Sequence, residues 1–434
     1  MQDSLDKLNT LVNNERNAGA GSYSLENMKL LLEQFGNPQK KLTIVHAAGT
    51  NGKGSFCHML HGILTAAGLK TGLYTSPHLE SVRERIVLGT AMISSESFSR
   101  YIDELFDLLA AEKFLTPTYF DALTLIALRY FSDEHAGIAI LETGLGGRLD
   151  STNAADSAIS VITDIGIDHS HILGETLRDI AAEKAGIIKP GSITITSNRD
   201  PEILAVLQKQ ARAAGSRILV YGKDFRGGDI TPGADSGLRF NYSMQTPQYS
   251  SIMGLTLRSP VRTQVKNASL ATTAAMILNT RGFPVSTEAL RKGLGNLEIP
   301  GRYQLLSRDP VIIFDPAHNP DAVRELINTL HEQYSGKKFI AVLSFMRDKE
   351  YKRMIQEIQE SLTHDIVYHE LDDPRALRGK DVMEETGREV ALSSSADSLR
   401  QHLHEAGEKG GIVIATGSFR LYSAMKHASE HPVT

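Results

Sequence analysis

Short apolar runs alternate along the first half of the chain with longer stretches whose apolar positions recur every three or four residues. The short runs predict buried strands at residues 42–48, 71–75, 137–141, 158–163 and 192–197. Residues 1–40 read as helical and partly looped, with a helix at 25–35 and Ser24 as its N-cap. Further helices are predicted from Phe56 to a stop at Gly68, and at 94–112, 120–131, 176–186 and 201–214. Strands alternating with helices imply a mostly parallel sheet covered on both faces. Between residues 221 and 260 the pattern changes to Gly, Ser and Thr with alternating apolar positions, which predicts a small antiparallel patch. A helix resumes at 266–280. Pro300 and Gly301 mark a hinge within 297–302. Beyond it the alternation restarts, with strands at 311–314, 339–343, 366–369 and 412–415 and helices from near Pro320, Tyr351 and Ser395. The expected fold is α/β. Residues 1–298 form one domain with a mostly parallel sheet plus the antiparallel patch, and 299–434 form a smaller Rossmann-like α/β domain.

Composition narrows the function more than the fold. A hydrophobic share of 41% with 22% charged residues describes a soluble globular protein. The formal net charge of −5 leaves no broad basic face, which weighs against nucleic acid as a partner. No apolar run approaches the ~20 residues that cross a bilayer, and the first residues are too polar for a signal peptide. The single cysteine, Cys57, cannot form an intrachain disulfide. The expectation is a monomeric cytoplasmic enzyme with no membrane partner.

The candidate chemistry begins at residues 49–55, Gly-Thr-Asn-Gly-Lys-Gly-Ser, between a predicted strand and a predicted helix. Glycines there let backbone N–H groups turn inward, the helix N-terminus adds partial positive charge, and Lys53 adds a full one. The alternative is a simple tight turn from strand to helix, and the strand–loop–helix context favours a phosphate-binding loop. It departs from the generic GxxxxGK[ST] pattern, since Ala47 replaces the first glycine and Gly54 separates Lys53 from Ser55. Ser76, Glu142 and His169 lie at or just beyond predicted strand ends, where open parallel sheets bind ligands. Glu142 is either a charge emerging into solvent or a magnesium ligand, and the neighbouring phosphate loop favours the ligand. Lys184 falls in helical phase with Leu177, Ile180 and Ala181. It is either a lysine snorkelling from the edge of that face or a desolvated amine with a lowered pKa. In the second domain Asp315 and His318 follow a strand, Asn319-Pro320 reads as a helix start, Arg302 lies at the hinge and Ser418 follows the last strand.

With these residues assembled, the chain resembles folylpolyglutamate synthase/dihydrofolate synthase of the Mur ligase superfamily. The resemblance rests on GTNGKGS at 49–55, TSPHL at 75–79, ERI at 84–86 and ETGLGGRLDSTN at 142–153. It continues with DIGIDHSHILGETLRDIAAEKAGIIKPG at 164–191, PGRYQ at 300–304, DPAHNP at 315–320 and ATGS at 415–418. It implies a P-loop Mur-ligase-like central domain and ATP-driven ligation of L-glutamate to dihydropteroate or a (tetrahydro)folate through an acyl phosphate. It also implies two Mg²⁺ ions. By motif, Asn51, Gly52, Lys53, Gly54 and Ser55 resemble the triphosphate cradle, and Asn267, Arg302 and Asp315 the other ATP contacts. Ser76, Glu142, His169 and a carbamylated Lys184 resemble the metal ligands. The resemblance implies catalytic roles for Lys53, Lys184, His169 and Arg302. Thr118, Tyr119, Phe120 and Asp121, with Leu149, Asp150 and Ser151, resemble the pterin-holding segments, and His318 and Ser418 the glutamate pocket.

Two departures stand out. The family usually shows Gly-x-His-Gln before the asparagine, where this chain has Val261-Arg262-Thr263-Gln264, and it more often has glutamate at the position of Asp121. Two rival readings remain. One is a cell-wall Mur ligase acting on a UDP-linked precursor, for which the 48 residues before Gly49 leave little room for a nucleotide-sugar domain. The other is a non-catalytic ATP-binding protein on the same scaffold.

Overall fold

The apolar run after Leu42 becomes a strand, Thr43–Ala48 (β1), buried at every position but the first, as a central parallel strand must be. The computed structural model describes residues 2–13, 24–245, 250–387, 389–408 and 410–430. Residues 14–23 of the expected helical and partly looped stretch 1–40, and residues 246–249 of the expected patch at 221–260, lie outside these residues.

β1 sits within an eight-stranded sheet. The others are Thr71–Tyr74 (β2), Ile86–Leu88 (β3), Ala91–Met92 (β4), Ile138–Glu142 (β5), Ile159–Ile162 (β6), Ile193–Thr196 (β7) and Arg217–Val220 (β8), in the order β4-β3-β2-β5-β1-β6-β7-β8. The five pairings from β2 across to β8 are parallel, whereas β3 and β4 are antiparallel additions at one edge. Register sets Ala47 of β1 opposite Glu142 of β5, so the phosphate loop and the Glu142 carboxylate leave neighbouring strand ends together.

The helices of this part start where side chains can cap them. Ser94, Thr118, Thr176 and Asp200 each accept a backbone N–H from the first turn that follows. Each such cap contributes about 1 kcal/mol. At the second helix, Glu26–Gln34, the expected cap is displaced by one residue. Leu25 occupies the cap position and Ser24 Oγ accepts from Glu26 N–H at 3.2 Å. The strands β3, β4 and β8 were not foreseen; each is four residues or fewer and lies toward a sheet edge.

A three-stranded sheet follows, formed by Phe225–Pro232 (β9), Leu238–Met244 (β10) and Ser250–Leu257 (β11), and then the helix Thr263–Thr280. The third sheet contains Gln304–Arg308 (β12), Val311–Phe314 (β13), Phe339–Leu343 (β14), Ile366–His369 (β15), Ala391–Ser393 (β16) and Ile412–Thr416 (β17), in the order β12-β13-β17-β14-β15-β16. Only β12 runs antiparallel to its neighbour. The chain divides into two compact units. One holds Met1–Ile230, Phe240–Thr256 and Val265–Leu297, the other Thr231–Arg239, Leu257–Gln264 and Glu298–Thr434. Among the described residues no helix is long and apolar enough to cross a membrane.

Candidate active site

The phosphate loop leaves β1 at Ala48 and enters the helix Lys53–Ala66. It is pinned from the β6 side. Thr50 and Asn51 N–H both donate to Asp164 O, at 2.7 and 3.2 Å, and the Thr50 hydroxyl donates to Gly166 O at 3.0 Å. Lys53 Nζ donates to Gly49 O at 2.9 Å and to Thr50 O at 3.3 Å, so the loop's own carbonyls hold the ammonium at its mouth. Gly52 caps the helix at φ +90°, where a side chain is strained, and a Cβ there would fall 2.6 Å from Asn267 Oδ1. The buried Asn267 amide therefore packs directly against the loop. Gly52→Ala should raise the KM for ATP about ten-fold while leaving the fold intact. An unchanged KM for ATP would show that the loop tolerates both the strain and the displaced amide.

Glu142 is buried, and a Cβ on Gly54 would lie 3.4 Å from its Oε2, which puts the carboxylate beside the first turn of the loop helix. The same oxygen accepts Ser76 N–H at 3.2 Å. The segment carrying Ser76 is shaped by Glu84, whose carboxylate accepts the N–H groups of Leu79, Glu80 and Ser81 at 2.8, 3.1 and 2.6 Å. Arg85 Nε donates to His78 Nδ1 at 2.9 Å across the same segment.

Lys184 is 4% exposed, and its Nζ donates to Gly49 O at 2.8 Å, the carbonyl that also receives Lys53. Burial, then the charge of Lys53, lowers its pKa to about 7. The lysine is thus desolvated rather than snorkelling. His169 takes a left-handed backbone, φ +52°, at the start of Ser170–Leu173, with its N–H on Asp168 Oδ1 at 2.9 Å. Such a conformation is uncommon outside glycine and is frequent at functional sites.

The two predicted pterin segments meet. Thr118 donates both its N–H and its hydroxyl to Asp121 Oδ2 at 2.8 Å, and Ser151 Oγ donates to Asp121 Oδ1 at 2.6 Å. Tyr119 is buried and Phe120 packs on Tyr74, with ring centroids 5.8 Å apart. Leu149 is half-buried. Asp150 turns inward. Its carboxylate accepts Gly144, Leu145 and Thr152 N–H, so it shapes the loop rather than offering an open carboxylate. Burial raises its pKa, against these hydrogen bonds.

In the second unit the candidates gather where β13 and its parallel neighbour β17 end. Asp315 accepts Tyr303 N–H at 2.9 Å and Ala317 N–H at 3.0 Å; desolvation raises its pKa, opposed first by Arg302. The Arg302 guanidinium lies over the Phe419 ring at 4.9 Å, and the His318 ring is 5.8 Å from the same ring. Gln304 accepts Gly301 N–H at 2.7 Å and donates to Tyr422 at 3.1 Å, which fixes the turn carrying Arg302. Ser418 is buried and accepts Arg420 N–H at 3.2 Å, and Asn319 caps Pro320–Gln333.

Sequence models of the Mur ligase middle domain and of the Mur ligase glutamate ligase domain match residues 47–275 and 301–419. The dihydrofolate synthase/folylpolyglutamate synthase of Bacillus subtilis (strain 168) is 33% identical over 410 residues, which span 93% of this chain and 94% of that protein. The chain belongs to this family of Mur ligases. The folylpolyglutamate synthase of Lacticaseibacillus casei is 31% identical over 410 residues, 91% of this chain and 92% of that one. Two solved members of the folylpolyglutamate synthases superpose along the chain. The Mycobacterium tuberculosis enzyme complexed with ADP gives a TM-score of 0.88 at 26% identity, covering 100% of this chain and 99% of that one. An FPGS–AMPPCP–folate complex gives 0.85 at 27% identity, covering 98% of each.

The magnesium ions that the resemblance implies would find one fitting donor beside the loop, and among the described residues no cluster of three or more His, Cys, Asp or Glu side chains is placed to hold a metal ion. Magnesium takes one or two protein carboxylates and completes its shell with phosphate and water. The buried Glu142 carboxylate beside the loop helix is such a donor, and the Ser76 segment is hydrogen-bonded to it. Motif reading missed the residues that support these groups. Thr50, Glu84, Gln304 and Phe419 all sit inside or next to the family's motifs, yet only their hydrogen bonds and stacking disclose what they do.

Proposed function

We propose that the protein joins L-glutamate to the carboxylate of dihydropteroate or a (tetrahydro)folate, driven by ATP. The observation that carries this reading is the convergence of Lys53, Glu142 and the buried Lys184 on one phosphate loop. The relatives' names and the folate complex of a solved relative support it. A free carboxylate is a poor acyl donor. Its oxygen attacks the γ-phosphorus of ATP, the bond to ADP breaks, and an acyl phosphate forms. The glutamate amine then adds to the acyl carbon, phosphate leaves, and one proton is released. Lys53 and the helix N-terminus bind the phosphates and stabilise charge as it shifts toward ADP. Ser76, Glu142, His169 and carbamylated Lys184 would hold two magnesium ions, which when bound neutralise the phosphates.

By this reading Asn51, Gly52, Lys53, Gly54, Ser55, Asn267, Arg302 and Asp315 contact ATP. The pterin is held by Thr118, Tyr119, Phe120, Asp121, Leu149 and Ser151, with Asp150 shaping their loop, and glutamate by His318 and Ser418. Residues 1–298 then serve ATP and pterin, and 299–434 serve glutamate and contribute Arg302 and Asp315 toward ATP. ATP and free glutamate are both metabolites of the cytoplasm, which suits a cytoplasmic enzyme acting as a monomer.

Phosphate release should require ATP, Mg²⁺, L-glutamate and a pteroate or folate together. Omission of glutamate should stop steady-state turnover. Turnover that continues without glutamate would overturn the ligase reading in favour of a plain nucleotidase.

A further inference from the structure

β1 carries a fully buried histidine, His46, in its interior. Its Nε2 lies 2.7 Å from Thr152 Oγ1. Thr152 Oγ1 lies 2.5 Å from Asp150 Oδ1, which also accepts Thr152 N–H at 3.1 Å. The other carboxylate oxygen accepts Gly144 and Leu145 N–H, each at 2.9 Å. Three N–H groups make Asp150 an acceptor, so the hydroxyl's single proton points to it. Thr152 Oγ1 must then accept from His46, which fixes the Nε2–H tautomer. Nδ1 is left buried with no hydrogen-bond partner.

An orphaned buried ring nitrogen calls for an explanation that packing does not supply. An apolar side chain would fill the same strand position without that cost. Burial lowers the His46 pKa to about 3, so the ring stays neutral. Beyond Asp150 the connection continues through the adjacent residue. Ser151 donates to Asp121, which closes a capping box with Thr118. Contacts therefore run from the interior of β1 through residues 150–152 to the start of the helix Tyr119–Asp133.

We infer that His46 is a positioning residue for the pteroate or folate substrate. Through Thr152 and Asp150, its Nε2–H holds the loop 143–154 in the shape that presents Leu149 and Ser151. This rests on the reading of Leu149 and Ser151 as substrate contacts. His46 touches no substrate itself.

The test compares KM values, using whichever of dihydropteroate and tetrahydrofolate supports phosphate release. In His46→Leu and Thr152→Val the KM for that substrate should rise about ten-fold, with kcat and the KM for ATP within about two-fold of wild type. His46→Gln, whose amide reaches the Nε2 position, and Thr152→Ser should restore most of the affinity. If His46→Leu fails to fold, as a melting curve reveals, Thr152→Val carries the comparison. A KM for ATP that rises in step with the other, or no rise in either, overturns the inference, because β1 would then be acting through the phosphate loop or not at all. Ser151→Ala and Leu149→Ala separate the two readings. If they leave the substrate KM unchanged, the assignment of the loop falls. If they raise it while the His46 and Thr152 variants do not, only the role of His46 falls.

Discussion

Lys53→Met should lower the rate of phosphate release by about a thousand-fold, with a melting temperature close to that of the parent protein. The size follows from what the ammonium does. A preorganised donor aimed at developing charge contributes a factor of about a hundred to a thousand in rate, and phosphoryl transfer depends almost wholly on such charges. Here the amine is held by Gly49 O and Thr50 O within its own loop, at the first residue of the helix Lys53–Ala66. Ammonium and helix N-terminus thus address the same anion. The cost to the fold is small, because Gly49 O keeps Lys184 as a donor. Lys53→Arg should recover little, since a planar fork does not replace a compact point charge between two carbonyls. Initial rates of phosphate release and ATP titration calorimetry check this. A Lys53→Met protein with wild-type kcat would remove the loop from the chemistry.

The hydrophobic pattern carried the sheet cores well because parallel strands are buried on both faces. β1, β5, β6 and β7 therefore stand out as continuous apolar runs. β4 has two exposed residues and β8 opens on the exposed Arg217, so neither offers a pattern to read. Ser24 failed as a cap for a different reason. A hydroxyl one residue early still reaches Glu26 N–H, and spacing alone does not separate the two arrangements. At the site, the residue pattern pointed to the loop 49–55 and to Glu142, and the family resemblance to the segment around Thr118 and Asp121; the structure sets Glu142 beside the loop helix and joins Asp121 to Ser151. Neither pattern nor resemblance distinguished an acid that faces substrate from one that folds its own loop, which is the case for Asp150. That depends on which backbone N–H groups lack other partners, a property of the folded loop. Nor does helical phase fix how deeply Lys184 is buried, because the carbonyl that receives it lies 135 residues away in sequence.

Lys184→Ala should lower kcat by about a hundred-fold or more, and a short carboxylic acid such as formate should restore part of the loss. Two ammonium groups donating to one carbonyl repel each other, and burial adds to the penalty on the second charge. With its pKa lowered to about 7 by burial and the charge of Lys53, Lys184 is far more readily neutral at neutral pH than an exposed lysine. A neutral amine adds to carbon dioxide: the N–C bond forms, one proton leaves, and a carbamate anion remains. That change would replace repulsion toward Lys53 with attraction and would supply oxygen donors beside Gly49 of the phosphate loop. The alanine variant loses both, yet Gly49 O retains Lys53 as its donor, so the melting temperature should stay near that of the parent. Lys184→Arg should be as inactive as Lys184→Ala and should not form a carbamate, since its guanidinium stays protonated. Isotope-labelled bicarbonate followed by carbon NMR reads the modification directly. Its signal should be present in the parent protein and absent from Lys184→Ala. Full activity in Lys184→Ala, or a parent protein that shows no carbamate at saturating bicarbonate, would take the modified lysine out of the mechanism and leave Glu142 as the anionic donor beside the phosphate loop.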